Sequence, residues 1–346
     1  MFFASDNAAG IAPPILEAIS RANADYALGY GNDDWTKRVE RRFAEIFERE
    51  VAVFLVPTGT VANALALAHV TPPWGAVLCH EHSHIAADEC GAPEFFGGGI
   101  KLIGLSGAAG KISAQTLRAA LTQGEWGGPH HVSPAVLSLS QATESGTIYR
   151  ASEIKELSEI AHQRGMALHT DGARLGNALA RTNVSPAEAT WKAGVDVLSF
   201  GATKGGAMGA EAVVFFDPKR GTHMLDRRKR GGALASKHRF IAAQIEAFLA
   251  DGLWLKLARH ANDMADRLAA GLSAAGCAPV WAVEANEVFA PITHDADKRL
   301  KAAGAVYHEW PPLGVSLPTG RILVRLVTSF QTTVGEVDRF LAALRG

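Results

Sequence analysis

Short apolar runs alternate with helical segments through most of the chain, and that alternation constrains the fold more than any other feature. Strand-like runs cover residues 51–56, 76–79, 100–105, 135–139, 166–170, 195–200 and 211–216. Each is nearly continuous in apolar residues, as strands buried on both faces are. The intervening segments have helical spacing. Val39, Phe43, Ile46 and Phe47 fall on one face, opposite Lys37, Arg38, Arg41, Arg42 and Glu45. Another helix places Ile154, Leu157 and Ala161 inward and stops at Gly165. Strands and helices in this order build βαβ units, hence an α/β fold with a mostly parallel central sheet and helices on both faces. Ligands of such sheets bind beyond the carboxyl ends of the strands.

The 346 residues are 48% hydrophobic and carry a formal net charge of −1. That is enough chain for one large domain and one small one. We expect an N-terminal arm over 1–15, a large α/β domain over 16–245 and a small C-terminal α+β domain over 246–346. The small domain should hold strands at 280–283, 288–292, 306–310 and 322–327, a helix at 295–303 and a final helix opened by the capping box Thr333 to Glu336. A balanced charge implies neither a nucleic-acid nor a membrane partner. No apolar run is long enough to span a membrane, and Ser5-Asp6-Asn7 breaks the apolar start too early for a signal peptide, so a cytoplasmic location is expected. Cys79, Cys90 and Cys277 are scattered, which argues against a disulfide framework and a structural zinc site. The basic run Arg227 to Arg230 reads as a solvated turn, a basic-patch binding role being the alternative.

The chemistry gathers at the strand ends. In the stretch 198–216, LSFGATKGGAMGAEAVVFF, Lys204 stands between two strands and is flanked by Gly201, Ala202, Gly205 and Gly206. Small neighbours let a flat ligand approach the amine closely, and an amine withdrawn from water is more often the uncharged nucleophile. Pro57-Thr58-Gly59-Thr60 links a strand to a small-residue helix. Such a turn offers free backbone N–H groups and the positive end of a helix dipole to a phosphate, or is simply an N-cap. His80, His82 and His84 alternate, so a metal site is conceivable beside a simpler aromatic role for one of them. Thr143 and Asp171 also follow strands. Arg325 is the one charge inside the apolar run LVRLV and requires an anion. Together these residues describe pyridoxal 5'-phosphate chemistry. Lys204 would hold the cofactor's aldehyde, Asp171 would pair with the protonated pyridine nitrogen, Gly59 and Thr60 would take the phosphate, and His84 would stack on the ring.

The ordered motifs SDN, YGNDD, PTGTVAN, HSHI with ECG after it, HTDGAR, SFGATKGGA and VRLVT span essentially the whole chain. In them the chain resembles the low-specificity L-threonine aldolases of the β-eliminating lyase/threonine aldolase family, pyridoxal-phosphate enzymes of fold type I with the aspartate-aminotransferase-like fold. The resemblance implies retro-aldol cleavage of L-threonine or L-allo-threonine to glycine and acetaldehyde. It also implies a homotetramer, a dimer of dimers with active sites at the dimer interface. It makes Lys204, His84 and Asp171 catalytic, and gives the cofactor to these three with Thr58, Gly59, Thr60, Arg174 and Arg228. Substrate contacts fall to Ser5, Tyr30, His82, Thr143, Arg174 and Arg325. Of these, Ser5, Arg174 and Arg325 would hold the carboxylate, while Tyr30 and the Arg228 region would reach into a neighbouring subunit's site. Many relatives carry a second histidine after the strand that here continues as QATESGT, and this chain has Thr143 and Glu144 instead. Candidates for the base at the β-hydroxyl are therefore His84, then His82, with Glu144 or a water behind them. A preference for bulky substrates of the phenylserine type, and β-elimination, stand as alternative reactions.

Overall fold

The computed structural model describes residues 1–346. Seven strands form the main sheet: β1 (Ala52–Val56), β2 (Gly75–His80), β3 (Lys101–Leu105), β4 (Ser133–Ser140), β5 (Ala167–Gly172), β6 (Val197–Gly201) and β7 (Glu211–Phe215). Their spatial order is β1-β7-β6-β5-β4-β2-β3. The five strands from β3 to β6 pair in parallel, and β7 runs antiparallel to both β6 and β1. The expected sheet is present, with one reversed strand near its edge. The reversal follows from the short link between β6 and β7, which carries Lys204 and is too short for a helical crossover. Strands β2, β5 and β7 are buried along their whole length, which is why their sequences show no polar alternation.

A second, antiparallel sheet has the order β8-β10-β9, from β8 (Glu287–Thr293), β9 (His308–Glu309) and β10 (Arg321–Val327). Two of the expected strands there need correction. Residues 280–283 form no strand: Val280 makes one hydrogen bond to the Phe289 carbonyl and Trp281 packs its ring edge on Phe289, with no ladder. The expected strand at 306–310 shrinks to the two exposed residues of β9 at the sheet edge. The final helix, Val334–Arg345, does open with the Thr333–Glu336 capping box.

Separate cores lie against the two sheets, and helix Leu253–Ala274 runs between them. Its Trp254 belongs to the first core and its Leu268 and Leu272 to the second. The N-terminal segment is tied down. Phe3 is fully buried against Phe340 in the second core, and its backbone bonds to Val306 and Val327. That anchorage carries Ser5, Asp6 and Asn7 to the carboxyl edge of the main sheet, where the site lies.

Candidate active site

A cavity of about 320 Å³ opens at the carboxyl ends of the parallel strands. Thr58, Gly59, Thr60, Asn63, His84, Glu89, Glu144, Asp171, Arg174, Lys204 and Glu211 are among its lining residues. Lys204 sits in the β6–β7 turn and is half-buried. Two glycines around it are sterically required. A Cβ on Gly201 would lie 2.7 Å from the Ala173 Cα, and one on Gly205 would lie 2.6 Å from the Phe248 ring. The turn is held from below by Glu211, which accepts the backbone N–H groups of Ala202 (3.2 Å) and Thr203 (3.4 Å). Glu211 is buried, and that burial pushes its carboxyl up to about 7 in spite of these bonds and of the Lys204 charge.

Asp171 projects from the end of β5. Its Oδ1 accepts the N–H of Ala173 at 3.0 Å and its Oδ2 accepts the side-chain amide of Asn63 at 2.8 Å. The same Asn63 nitrogen donates to Glu89 Oε1 at 2.9 Å, and Glu89 Oε1 bonds His84 Nδ1 at 2.9 Å. Asp171, Asn63, Glu89 and His84 thus form one continuous chain of hydrogen bonds along the cavity wall. The bond to Glu89 raises the proton affinity of His84, against the opposing effect of burial. Burial raises that of Glu89 in turn. Residues Asn63 and Glu89 have no role in the sequence reading. Their only signals there are a polar side chain in the otherwise apolar helix Gly59–Val70 and a carboxylate just before the Cys90-Gly91 turn.

Thr58 caps helix Gly59–Val70 by accepting the N–H of Val61 at 3.3 Å. The cap is Thr58 and not Thr60, so the N–H groups of Gly59 and Thr60 belong to the helix's first turn and have no acceptor within it. A Cβ at Gly59 would meet nothing within 4 Å, so the approach to these donors is open. An anion binds naturally at such a terminus. A buried carboxylate, an accessible lysine, a histidine face and free helix-end amides, all on one cavity, match the polar groups of a phosphorylated pyridine aldehyde.

Arg174 also lines the cavity, but its guanidinium is already engaged. Nε and Nη2 donate to the two oxygens of Asp6 at 2.8 and 3.0 Å, and Nη1 lies 3.3 Å from Glu287. Burial alone would weaken its hold on the proton; Asp6 and Glu287 more than offset this and keep it charged. Asp6, like Asn63 and Glu89, has no role assigned from the sequence, although it stands inside the SDN motif.

Six expected residues lie outside the cavity of this single chain. Ser5 caps the turn Asp6–Ala8 by accepting the N–H of Asn7. His82 donates its backbone N–H to His80 Nδ1, and His80 Nε2 bonds the Gly107 carbonyl. The three alternating histidines thus turn to different partners, and no three His, Cys, Asp or Glu side chains gather closely enough to hold a metal ion. Thr143 is buried and bonds Thr147 and the Ala109 carbonyl. Arg325 stacks over Trp310 at 4.4 Å. Tyr30 is half exposed beside Lys229, and Arg228 is buried, donating to the Leu55 carbonyl at 3.0 Å. These two line a separate groove.

Fold and cavity together define a lyase scaffold of pyridoxal-phosphate fold type I. Residues 3–295 match the β-eliminating lyase family, whose members are pyridoxal-phosphate enzymes, and the chain belongs to it. It is 44% identical over 305 residues to a low specificity L-threonine aldolase of Pseudomonas aeruginosa, covering 87% of each chain. It is 41% identical over 344 residues to a second one, from a Pseudomonas species, covering 99% of this chain and 96% of the relative. Among solved structures, a Leishmania major threonine aldolase superposes with a TM-score of 0.93 at 29% identity, over 99% of this chain and 98% of that one.

Proposed function

We propose that this chain cleaves the Cα–Cβ bond of β-hydroxy-α-amino acids, L-threonine and L-allo-threonine first among them, to glycine and an aldehyde. Pyridoxal 5'-phosphate is held at Lys204. The observation that carries this reading is the convergence of Lys204, Asp171, His84 and the Gly59–Thr60 amides on one cavity, in a chain whose full-length relatives bear the threonine aldolase name.

When bound, the cofactor withdraws the electron pair that the broken Cα–Cβ bond leaves on Cα. Asp171, fixed by Asn63 and Ala173, keeps a proton on the ring nitrogen. Gly59 and Thr60 would take the phosphate through their backbone N–H groups, and His84, held by Glu89, would stack on the ring. Asp6 already fills the Nε–Nη2 edge of Arg174, so a substrate carboxylate at Arg174 uses Nη1 or displaces Asp6. Arg325 and Ser5 complete carboxylate binding only if the bound state moves them to the cavity.

The test is a product assay on cofactor-loaded protein given L-threonine. Acetaldehyde with glycine, lost in Lys204→Ala, is the expected result. Ammonia with 2-oxobutyrate would assign β-elimination, and much faster cleavage of phenylserine than of threonine would assign the bulky-substrate reaction. The same reading makes the protein a cytoplasmic homotetramer, a dimer of dimers. Exposed Tyr26, Leu28 and Tyr30 in one segment support a subunit contact there, which light scattering tests. No helix is long and apolar enough to cross a membrane.

A further inference from the structure

Four carboxylates line the cavity: Glu89, Glu144, Asp171 and Glu211. Three are committed to protein donors. Glu89 is held by His84 and Asn63, Asp171 by Asn63 and the Ala173 N–H, and Glu211 by the Ala202 and Thr203 N–H groups. Glu144 makes no hydrogen bond or ion pair with any group of the chain and is half-buried. It is nonetheless rigidly mounted. The turn after β4 closes on itself through Thr143 N–H to Thr147 O at 2.8 Å and Thr143 Oγ1 to Thr147 Oγ1 at 2.8 Å. Thr143, Ser145 and Thr147 are all buried, so Glu144 is the one member of this turn that stands partly open, and it opens on the cavity.

We propose that Glu144 is the base that takes the β-hydroxyl proton of the substrate. The proposal rests on the aldol-cleavage reading above. An unpaired carboxylate on a fixed turn is an acceptor with free lone pairs, which is what a hydroxyl entering the cavity needs. Apart from Lys204, which would hold the cofactor, the other accessible titratable group is His84. It is tethered through Nδ1 to Glu89 and retains its proton to higher pH than an ordinary histidine, which suits a donor better than a base. Glu144 lines the same cavity as His84 and Arg174, the proposed ring-covering and carboxylate-binding residues. The step balances. The O–H proton passes to Glu144 and the oxygen forms the aldehyde C=O. The Cα–Cβ pair stays at Cα, where the cofactor named above holds it, and a proton then returns to Cα to give glycine.

The experiment compares wild type, Glu144→Gln and Glu144→Ala, each loaded with pyridoxal phosphate. Three quantities are read: the cofactor dissociation constant by absorbance, glycine α-hydrogen exchange in heavy water by NMR, and acetaldehyde release from L-threonine. Glycine has no β-hydroxyl, so exchange requires the cofactor machinery but no base at that oxygen. In Glu144→Gln, acetaldehyde release is expected to fall by about 100-fold or more, at least about tenfold beyond any fall in exchange. Formate or acetate is expected to restore part of the cleavage to Glu144→Ala in proportion to its concentration. Cleavage by Glu144→Gln within about threefold of wild type overturns the proposal; so does parallel loss of cleavage and exchange without rescue. A wild-type protein that exchanges glycine but releases no aldehyde overturns the aldol reading itself, and this proposal with it.

Discussion

Replacing Asp6 by alanine strips the main partner from a buried guanidinium. The Arg174 and Asp6 side chains are 7% and 2% exposed, so solvent does little to screen them. Removing one member of a buried, hydrogen-bonded ion pair costs roughly 3–5 kcal/mol, because the other charge is left without compensation. Here Glu287 remains 3.3 Å from Nη1, while Asn286, which donates to Asp6 Oδ2 at 3.0 Å, keeps its bond to the Thr328 carbonyl. The expected loss is therefore at the low end, about 3 kcal/mol. The pH dependence supplies a second handle. Burial tends to raise the Asp6 carboxyl, but the charges of Arg174 and Lys204 more than offset it and hold the group below its ordinary value. A carboxyl depressed in the folded state stabilises above its unfolded value, about 4, and loses that contribution as pH falls through the folded one. Urea unfolding of the cofactor-free protein, followed by tryptophan fluorescence and circular dichroism, should show a constant deficit for Asp6→Ala between pH 5 and 8 that narrows below about pH 4. A deficit under about 1 kcal/mol at pH 7, or one that does not narrow in acid, would refute the reasoning.

The histidine chain predicts that Glu89→Gln lowers the NMR titration midpoint of His84, since the bond to Glu89 is the largest cause of its raised value; an unmoved midpoint would sink the assignment. Gly201→Ala should push β6 from Ala173, cost about 1–3 kcal/mol and weaken cofactor binding, measured by absorbance titration; wild-type affinity would show that the backbone yields freely. Glu211, raised to about 7 by burial, is 6% exposed and stabilises the fold below its unfolded value, a contribution lost as pH rises through 7. Wild type should therefore lose roughly 3 kcal/mol relative to Glu211→Gln between pH 4.5 and 7.5, and a flat difference across that range would contradict it.

How much of this was legible in the sequence depends on how local each signal is. The parallel sheet was, because strands buried on both faces need near-continuous apolar runs, as in β2. Residues 280–283 carry the same composition but lack a partner strand, and apolar composition alone cannot supply one. Lys204, Asp171 and the Thr58–Thr60 turn stand where loop chemistry interrupts a strand, so each announces itself within a few residues. Asn63, Glu89, Asp6 and Glu211 do not. Asn63 meets Asp171 across 108 positions and Asp6 meets Arg174 across 168, so nothing local names their partners. The pairing of Arg174 with Asp6 is hidden for the same reason: a guanidinium suited to a substrate carboxylate is equally suited to one from its own chain.

These long-range pairings also explain why so acidic a cavity can admit a phosphate. In the sheet register Glu211 pairs with Gly201 on one side and Val56 on the other, which places it between the lysine turn and the phosphate turn. An ionised carboxylate there would repel a phosphate at Gly59 and Thr60, whereas burial keeps the Glu211 proton on until about pH 7. Glu89, raised by burial as well, leaves less negative charge beside His84. Arg174 is paired with Asp6 and Glu287, Asp171 is held by Asn63 and the Ala173 N–H, and Glu144 has no partner within the chain. Burial thus shifts two of the four cavity carboxyls, Glu89 and Glu211, toward the acid form.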